Sequence, residues 1–354
     1  MPTTADVCVI GLGAMGSAAA KHCAARGARV IGIEMFGRAH GQGSSGGRTR
    51  VIRLSYFEHP DYVPLLRRAW TLWRALEEES GAHLLARTGG IYMGPPDGEL
   101  VPGARRSAET HGLVHELLDA AEIHRRHPPL VPDPSWVGIA EAEAGVLAAE
   151  RCIEAHLRAA ERAGAVFHFG KRVDRWRVDG DGFAVETAGT TYAASSLVIT
   201  AGPWIAELVP SLAPLLRVEQ VPLFWFDPTA PVSRLPVWIA ETADGGYYGF
   251  PQDEHGLKVA RHGPADLERV RAFVRRHLPV ADGALRSTHT CLYTSTPDGH
   301  FVIERRDDRV VYASPCSGHG FKFSTVVGEI LADLALDGVT AHPIGFLSAA
   351  RFTS

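Results

Sequence analysis

The sequence predicts a mixed α/β (α+β) fold of about two interleaved domains, and three observations carry that expectation. The chain has 354 residues, about twice the ~150 residues of a typical domain. Its opening, as far as Glu34, runs as an apolar stretch, a glycine-rich turn, an alanine-rich stretch and a second apolar stretch, the order of a strand–helix–strand unit. Residues 217–262 read as β-rich, and neither a repeat nor a low-complexity linker separates two halves.

Val7 to Ile10 fits a buried parallel strand. Gly11-Leu12-Gly13-Ala14-Met15-Gly16 follows, then a helix to about Arg26, with Gly27 suited to its C-terminus. Arg29 to Ile33 is the second strand, and Glu34 closes it. The glycines permit a tight turn and close approach of backbone to a pyrophosphate. The helix N-terminus stabilises its negative charge, and Glu34 can accept hydrogen bonds from a ribose. Gly41 to Gly47 is a Gly/Ser-rich loop, followed by Arg48-Thr49-Arg50-Val51-Ile52-Arg53. Val63 to Glu79 is an amphipathic helix, with Leu66, Trp70, Trp73 and Leu76 at the helical period. Residues 83–150 read as short strands and loops with a helix near Glu109 to Leu118. Cys152 to Ala163 is helical and Ala165 to Gly170 extended. Val173 to Val178 and Phe183 to Thr187 form a hairpin around Asp179-Gly180-Asp181-Gly182, which lacks the further acids of a calcium loop. Leu197 to Thr200 is a buried strand leading to Ala201-Gly202-Pro203-Trp204. Later come a helix over Pro264 to His277, strands at Phe301 to Glu304 and Val310 to Ala313, and a helix over Thr325 to Leu336.

Composition narrows the function classes. Apolar residues make up 45% and charged residues 21%, which supports a sizeable core and excludes a disordered, collagenous or small disulfide-stapled chain. The net charge of −4 argues against a nucleic-acid partner. No apolar run is long enough to span a bilayer, and Met1 to Asp6 is too short and polar for a secretory signal. Five sparse cysteines, Cys8, Cys23, Cys152, Cys291 and Cys316, suggest reduced thiols and a cytoplasmic enzyme. The 17 histidines show no metal-ligand spacing, so no metal is expected. Asn is absent, and only four lysines (Lys21, Lys171, Lys258, Lys322) stand against 32 arginines, which singles out each lysine as a specific amine.

Five blocks resemble the monomeric sarcosine oxidase family, FAD-dependent amine oxidases of the glycine-oxidase-like superfamily that include N-methyltryptophan oxidase and pipecolate oxidase. They are Gly11 to Gly16 with Glu34; Thr49 to Arg53; Tyr247-Tyr248-Gly249-Phe250-Pro251 with Gly256-Leu257-Lys258; Cys291-Leu292-Tyr293-Thr294-Ser295-Thr296-Pro297-Asp298; and Ser317 to Phe323. The resemblance runs nearly end to end. It implies a Rossmann-type FAD-binding domain (1–82, 148–212 and 292–354) interleaved with a β-sheet-based substrate domain (83–147 and 213–291).

The resemblance also implies roles. Cys291 matches the cysteine that forms an 8α-S-cysteinyl thioether to the flavin, at a site that should be electropositive. Cys316 stands where the family has no cysteine; packing is its default reading, with a second thiol near the flavin and attachment there instead as the alternative. Lys258 matches the lysine over the flavin that assists oxygen reduction. Arg53 and Lys322 match the pair that grips the substrate carboxylate. Arg50 matches a residue beside the flavin and Lys258, His262 one close to the substrate, and Tyr248 and Tyr293 aromatic pocket positions; packing alone is the competing reading for His262 and both tyrosines. The expected FAD contacts are Gly11, Gly13, Gly16, Glu34, Ser44, Thr49, Arg50, Val173, Gly202, Trp204, Gly318, His319, Gly320 and Lys322. Departures from the family pattern fall in the side-chain pocket: Ser45 and Gly46 stand where two histidines are usual, Arg261 where an aromatic is, Ile239 where a methionine is, and the segment after His262 is short.

The implied activity is oxidation of a secondary amino acid, N-methyl or cyclic, to an imine, with oxygen reduced to hydrogen peroxide. A flavin-dependent amino-acid dehydrogenase using another acceptor, an oxidase of primary amino acids, and a non-catalytic or NAD-binding protein sharing only the βαβ unit are the alternatives. The expected partners are a small amino acid and oxygen, with no nucleic acid or membrane, and the chain is expected to act as a monomer.

Overall fold

The computed structural model describes residues 3–232, 234–306, 309–314 and 316–352. Met1 and Pro2 of the polar start, and residues 307, 308, 315, 353 and 354 of the last segment expected to bind FAD, lie outside the described residues.

Thr3–Ile10 runs parallel between Val30–Ile33 and Thr190–Ile199 in the first of two eight-stranded sheets. Val166–His168 adds parallel to Val30–Ile33, and Val310–Ser314 parallel to Thr190–Ile199. Val7, Cys8, Val9 and Ile10 are all buried, as parallel strands covered on both faces must be. The hairpin Val173–Asp179/Gly182–Thr187 forms as expected and extends this sheet antiparallel. Four helices, Ala14–Ala25, Tyr62–Ser80, Ala149–Arg162 and Ser324–Leu336, share one core with the sheet. The alanines of the first helix serve close packing: a Cβ added at Gly328 would lie 2.5 Å from Ala18 Cβ.

The second sheet runs Leu285–Ser295, Arg217–Phe226, Leu257–Arg261, Gly245–Gly249, Val237–Thr242, Gly90–Gly94, Val137–Glu141, Glu116–Asp119. Leu285–Ser295 carries Cys291 in its interior and is unbroken across residues 291 and 292. One face of this sheet carries the helix Leu267–His277, whose N-cap Asp266 accepts from Arg269 N–H at 2.8 Å. Phe273 of that helix stacks on Tyr247 and Trp238. A small sheet of Thr49–Ile52, Gly145–Ala148 and Leu85–Arg87 sets Arg50 on its first strand.

The helix expected near Glu109 to Leu118 is a correction. The helix is Leu100–His111, it ends at left-handed Gly112, and Glu116–Asp119 is a strand paired with Val137–Glu141. Leu100, Val101, Ala104 and Ala108 supply its buried face. Pro102 falls in the first turn, where its missing N–H costs nothing, so it does not break the helix. Among the described residues no helix is long and apolar enough to cross a membrane.

Candidate active site

The strand–turn–helix–strand unit forms the floor of a long cleft with about 1030 Å³ of empty space. Gly11, at φ +88°, packs where a Cβ would lie 2.6 Å from Thr200 O. At Gly16 a Cβ would sit 1.8 Å from Gly11 O, so this glycine is needed for helix-to-turn packing and does not line the cleft. Gly13 differs: a Cβ there would meet only Ser45 Oγ, at 3.4 Å, so the space above it is open for a phosphate. Ala14 N–H, at the helix start, donates to Ser45 Oγ at 3.2 Å. Glu34 accepts from Leu12 N–H at 2.8 Å and Phe36 N–H at 2.9 Å, and His40 Nε2 lies 3.2 Å from it. Burial pushes this carboxyl up, but His40 and the two N–H donors outweigh that and hold it lowered and ionised. Val173, Gly202 and Trp204 line the same cleft. Three buried hydroxyls on its wall, Ser44 Oγ, Thr294 Oγ1 and Ser314 Oγ, have no hydrogen-bond partner among the described residues. Orphaned buried hydroxyls are costly, so they fit a polar ligand such as FAD.

The rest of the site grows from one face of the second sheet. Side chains alternate along a strand, so His289, Cys291 and Tyr293 share a face with Lys258, Ala260 and His262 through the registers Leu223–His289, Val221–Cys291 and Trp225–Lys258. Across Gly245–Gly249 the same face shows Gly246 and Tyr248, and on Val237–Thr242 it shows Ile239 and Glu241. A second cavity, with about 1340 Å³ of empty space, opens over this face. Its wall includes Arg50, Arg53, Tyr248, His262, Cys291, Tyr293, Gly318, His319, Gly320 and Lys322. Ser44, Cys316 and Phe321 line both cavities, so the two meet there. The loop Ser317–Gly320 closes tightly: a Cβ on Gly318, at φ +76°, would be 2.3 Å from Tyr293 and 2.4 Å from His262.

Charge concentrates at this junction. Arg50 donates to Ser44 O at 3.0 Å, Thr49 O at 2.9 Å and Gly46 O, and its Nη2 is 3.6 Å from Cys291 Sγ. Burial pushes the Cys291 thiol up, opposed chiefly by Arg50 and also by Lys258. The thiol donates to Ser44 O at 3.4 Å. The site is electropositive as the sequence implied, yet burial dominates while the thiol is protonated. Tyr248 and Tyr293 approach OH to OH at 3.4 Å, and burial raises both phenols.

Lys258 is buried but does not line either cavity. Its ammonium donates to Gly47 O at 2.8 Å, Thr49 O at 2.9 Å and Thr49 Oγ1 at 3.2 Å, and it sits over Phe250 and Trp225. Burial, and then Arg50, hold its pKa well below the usual lysine range. Thr49 likewise acts behind the lining, as a ligand of that ammonium. Lys322 donates to His319 O at 2.7 Å, and burial with Arg53 beside it brings its pKa to about 7. His319 is pinned by Tyr56 OH at Nδ1 and Gly299 O at Nε2, and burial lowers it to about 3, so it is neutral. Burial also lowers His262, whose ring lies 5.3 Å from that of Tyr293.

Sequence reading missed the partner of Arg53. Arg53 Nη2 is 2.7 Å from both Glu58 oxygens, Nη1 donates to Ser55 O at 3.0 Å, and the guanidinium stacks 4.3 Å from the Tyr56 ring. Arg53, with His319 and Lys322 behind it, lowers Glu58 to about 2 against its burial. It missed Glu141 too. This buried carboxylate accepts from Leu54 N–H, Ser55 N–H, Ser55 Oγ–H and Tyr92 OH, and so fixes the backbone beside Arg53. No local pattern joins residues 55 and 141; only the fold does. The family departures have physical counterparts. A Cβ at Gly46 would lie 2.9 Å from His289 Nε2, so a histidine of the sheet occupies the place beside this loop. Arg261 donates to Asp244 O and Pro264 O, away from the cavity face.

Comparison with known proteins gives one consistent answer. The family described as FAD dependent oxidoreductase matches residues 6–334. The chain is 44% identical to a monomeric sarcosine oxidase of Streptomyces avermitilis, covering 100% of this chain and 99% of the relative. It is 34% identical to an N-methyl-L-tryptophan oxidase of Salmonella dublin, covering 98% and 99%. Among solved structures, NikD, an unusual amino acid oxidase essential for nikkomycin biosynthesis, superposes with TM-score 0.86 at 26% identity, covering 98% of this chain and 97% of that one. With the open Gly13 turn, the ionised Glu34 and the orphaned hydroxyls in one cleft, these matches establish that the chain belongs to the FAD dependent oxidoreductase family.

Proposed function

We propose that this protein oxidises the C–H beside the nitrogen of a secondary amino acid, N-methyl or cyclic, giving an imine that water hydrolyses, while oxygen becomes hydrogen peroxide. One observation carries this reading: Arg53 and Lys322 line the same cavity as Arg50 and Cys291, at the mouth of the cleft that fits FAD. When bound, FAD takes two electrons and a hydrogen from the substrate and passes them to oxygen. Residues 1–82, 148–212 and 292–354 hold it, and residues 83–147 and 213–291 hold the substrate. Gly11, Gly13 and the first helix receive the pyrophosphate, Glu34 the ribose, and Cys291 the 8α carbon, with Arg50 stabilising the thiolate.

Arg53 and Lys322 grip the substrate carboxylate. His262, Tyr248 and Tyr293 surround the amine, all uncharged near neutrality, so the amine enters neutral and desolvated. Lys258 supplies the positive charge that favours electron transfer to oxygen. The names of the relatives support a monomer, and the sparse cysteines support the cytoplasm. The test is peroxide release under air across N-methyl, cyclic and primary amino acids. Peroxide from a secondary amino acid upholds the reading. Substrate oxidation that needs a dye and releases no peroxide makes the protein a dehydrogenase instead.

A further inference from the structure

The substrate cavity follows the sheet face to Gly246 and Glu241, and one position there carries no side chain. On the cavity face, Glu241 pairs across the strands with Gly246, and Ile239 with Tyr248. His262 N–H bonds to Gly246 O at 2.7 Å, which places His262, Gly246 and Glu241 along one rung. The middle of that rung has no side chain. A Cβ at Gly246 would meet only His262 Cβ, at 3.8 Å, whereas one at Gly318, on the same cavity, would press on Tyr293 and His262. Phe57, Leu100, Ile239, Glu99 and Glu241 line the same cavity as Gly246, with Glu241 directly opposite it. This wall is fixed: Glu241 accepts from Glu99 N–H at 3.0 Å and Leu100 N–H at 2.8 Å, tying the start of the helix Leu100–His111 to the sheet. Only residues 262–266 join Leu257–Arg261 to Leu267–His277, and Arg261 binds Pro264 O and Asp244 O on the opposite face of the sheet.

We propose that the preferred substrate is a secondary amino acid with a large, mainly apolar side chain that lies over Gly246 between Phe57, Leu100 and Ile239. This rests on the amino-acid oxidase reading above and narrows it. Sarcosine leaves this space without contacts. A ring there displaces water from apolar walls and adds binding remote from the reacting carbon. The carboxylates of Glu99 and Glu241, which line the same cavity, accept a donor such as an indole N–H and repel an anionic side chain.

The test uses FAD-loaded enzyme and four probes: N-methyltryptophan, N-methylphenylalanine, sarcosine and N-methylglutamate, scored by anaerobic bleaching of the flavin and by kcat/KM from peroxide release. The two aromatic substrates should exceed sarcosine in kcat/KM by about tenfold or more, with N-methylglutamate poorest. Gly246→Leu should cut the ratio of N-methyltryptophan to sarcosine kcat/KM at least ~tenfold, and Gly246→Ala should move it the same way by less. Flavin content and melting temperature establish that each variant is folded, and Gly246→Ala decides if the leucine variant is not. Sarcosine equal to or better than the aromatic substrates, or an unchanged ratio in a folded variant, overturns the proposal while leaving amine oxidation standing. If no probe bleaches the flavin, the oxidase reading itself fails.

Discussion

Lys322→Met changes the shape of the pH profile as well as its height. In the free enzyme, burial and Arg53 place the Lys322 pKa at about 7, far below an exposed lysine. Its charge is therefore present below pH 7 and lost as pH rises through 7; at pH 8 roughly one molecule in ten keeps it. The reacting amine titrates the other way, since its neutral fraction rises about tenfold per unit below its own pKa. Where both hold, the two trends cancel, and kcat/KM should flatten above pH 7. A charge-assisted hydrogen bond to the carboxylate is worth about 1.5–3 kcal/mol, roughly ten- to 150-fold. The plateau should then span one to two pH units before the slope resumes at the level Arg53 alone supports. Lys322→Met should lose roughly ten- to 150-fold at pH 6, where wild type is charged, and rise through pH 7–9 with no plateau. The assay is initial peroxide release at substrate well below KM across that range. A wild-type profile that climbs steadily through pH 9, or a variant that merely shifts the curve down in parallel, refutes the assignment of Lys322 to the carboxylate.

Acid-precipitated wild-type protein should stay yellow, and Cys291→Ser should release the colour to the supernatant; colour lost only in Cys316→Ser would move the attachment to the other thiol. Lys258→Met should slow reoxidation of the reduced enzyme by oxygen by about 10²–10³-fold in rapid mixing, while anaerobic reduction by substrate changes far less. The same variant removes one donor each from Gly47 O, which keeps Thr49 N–H, and from Thr49 O, which keeps Arg50, so the loss in thermal unfolding should be about 0.5–1.5 kcal/mol. Gly13→Val and Gly16→Ala should separate cofactor binding from packing. Gly13 has open space above it, so valine should abolish FAD retention with little change in the apoprotein's melting temperature. Gly16 abuts Gly11 O, so alanine should destabilise the fold itself, by about 1–3 kcal/mol or more.

Much of the cofactor side was legible because it is local. The glycine turn, Glu34 and the apolar strands around them all belong to the opening strand–helix–strand unit, and each residue's role follows from backbone geometry. The cations were legible only through resemblance, since nothing about Lys258 or Lys322 in isolation separates a buried amine from a solvated one. What stayed hidden depends on how the folded chain places its side chains. Glu58 takes Arg53 because a turn brings it back over the guanidinium, and Glu141 reaches the Arg53 segment from a strand far along the chain from Ser55. His289 beside Gly46 likewise joins a late strand of the second sheet to a loop near the start of the chain. The helix over Leu100–His111 was missed for a different reason: Pro102 reads as a breaker unless its position in the first turn is known.

The most direct test of the account is anaerobic mixing of the purified yellow protein with a secondary amino acid, followed by air. The visible flavin band should bleach, air should restore it, and one peroxide should appear per substrate consumed. A flavin that stays oxidised with every N-methyl and cyclic amino acid, in a protein that retains its FAD, contradicts it.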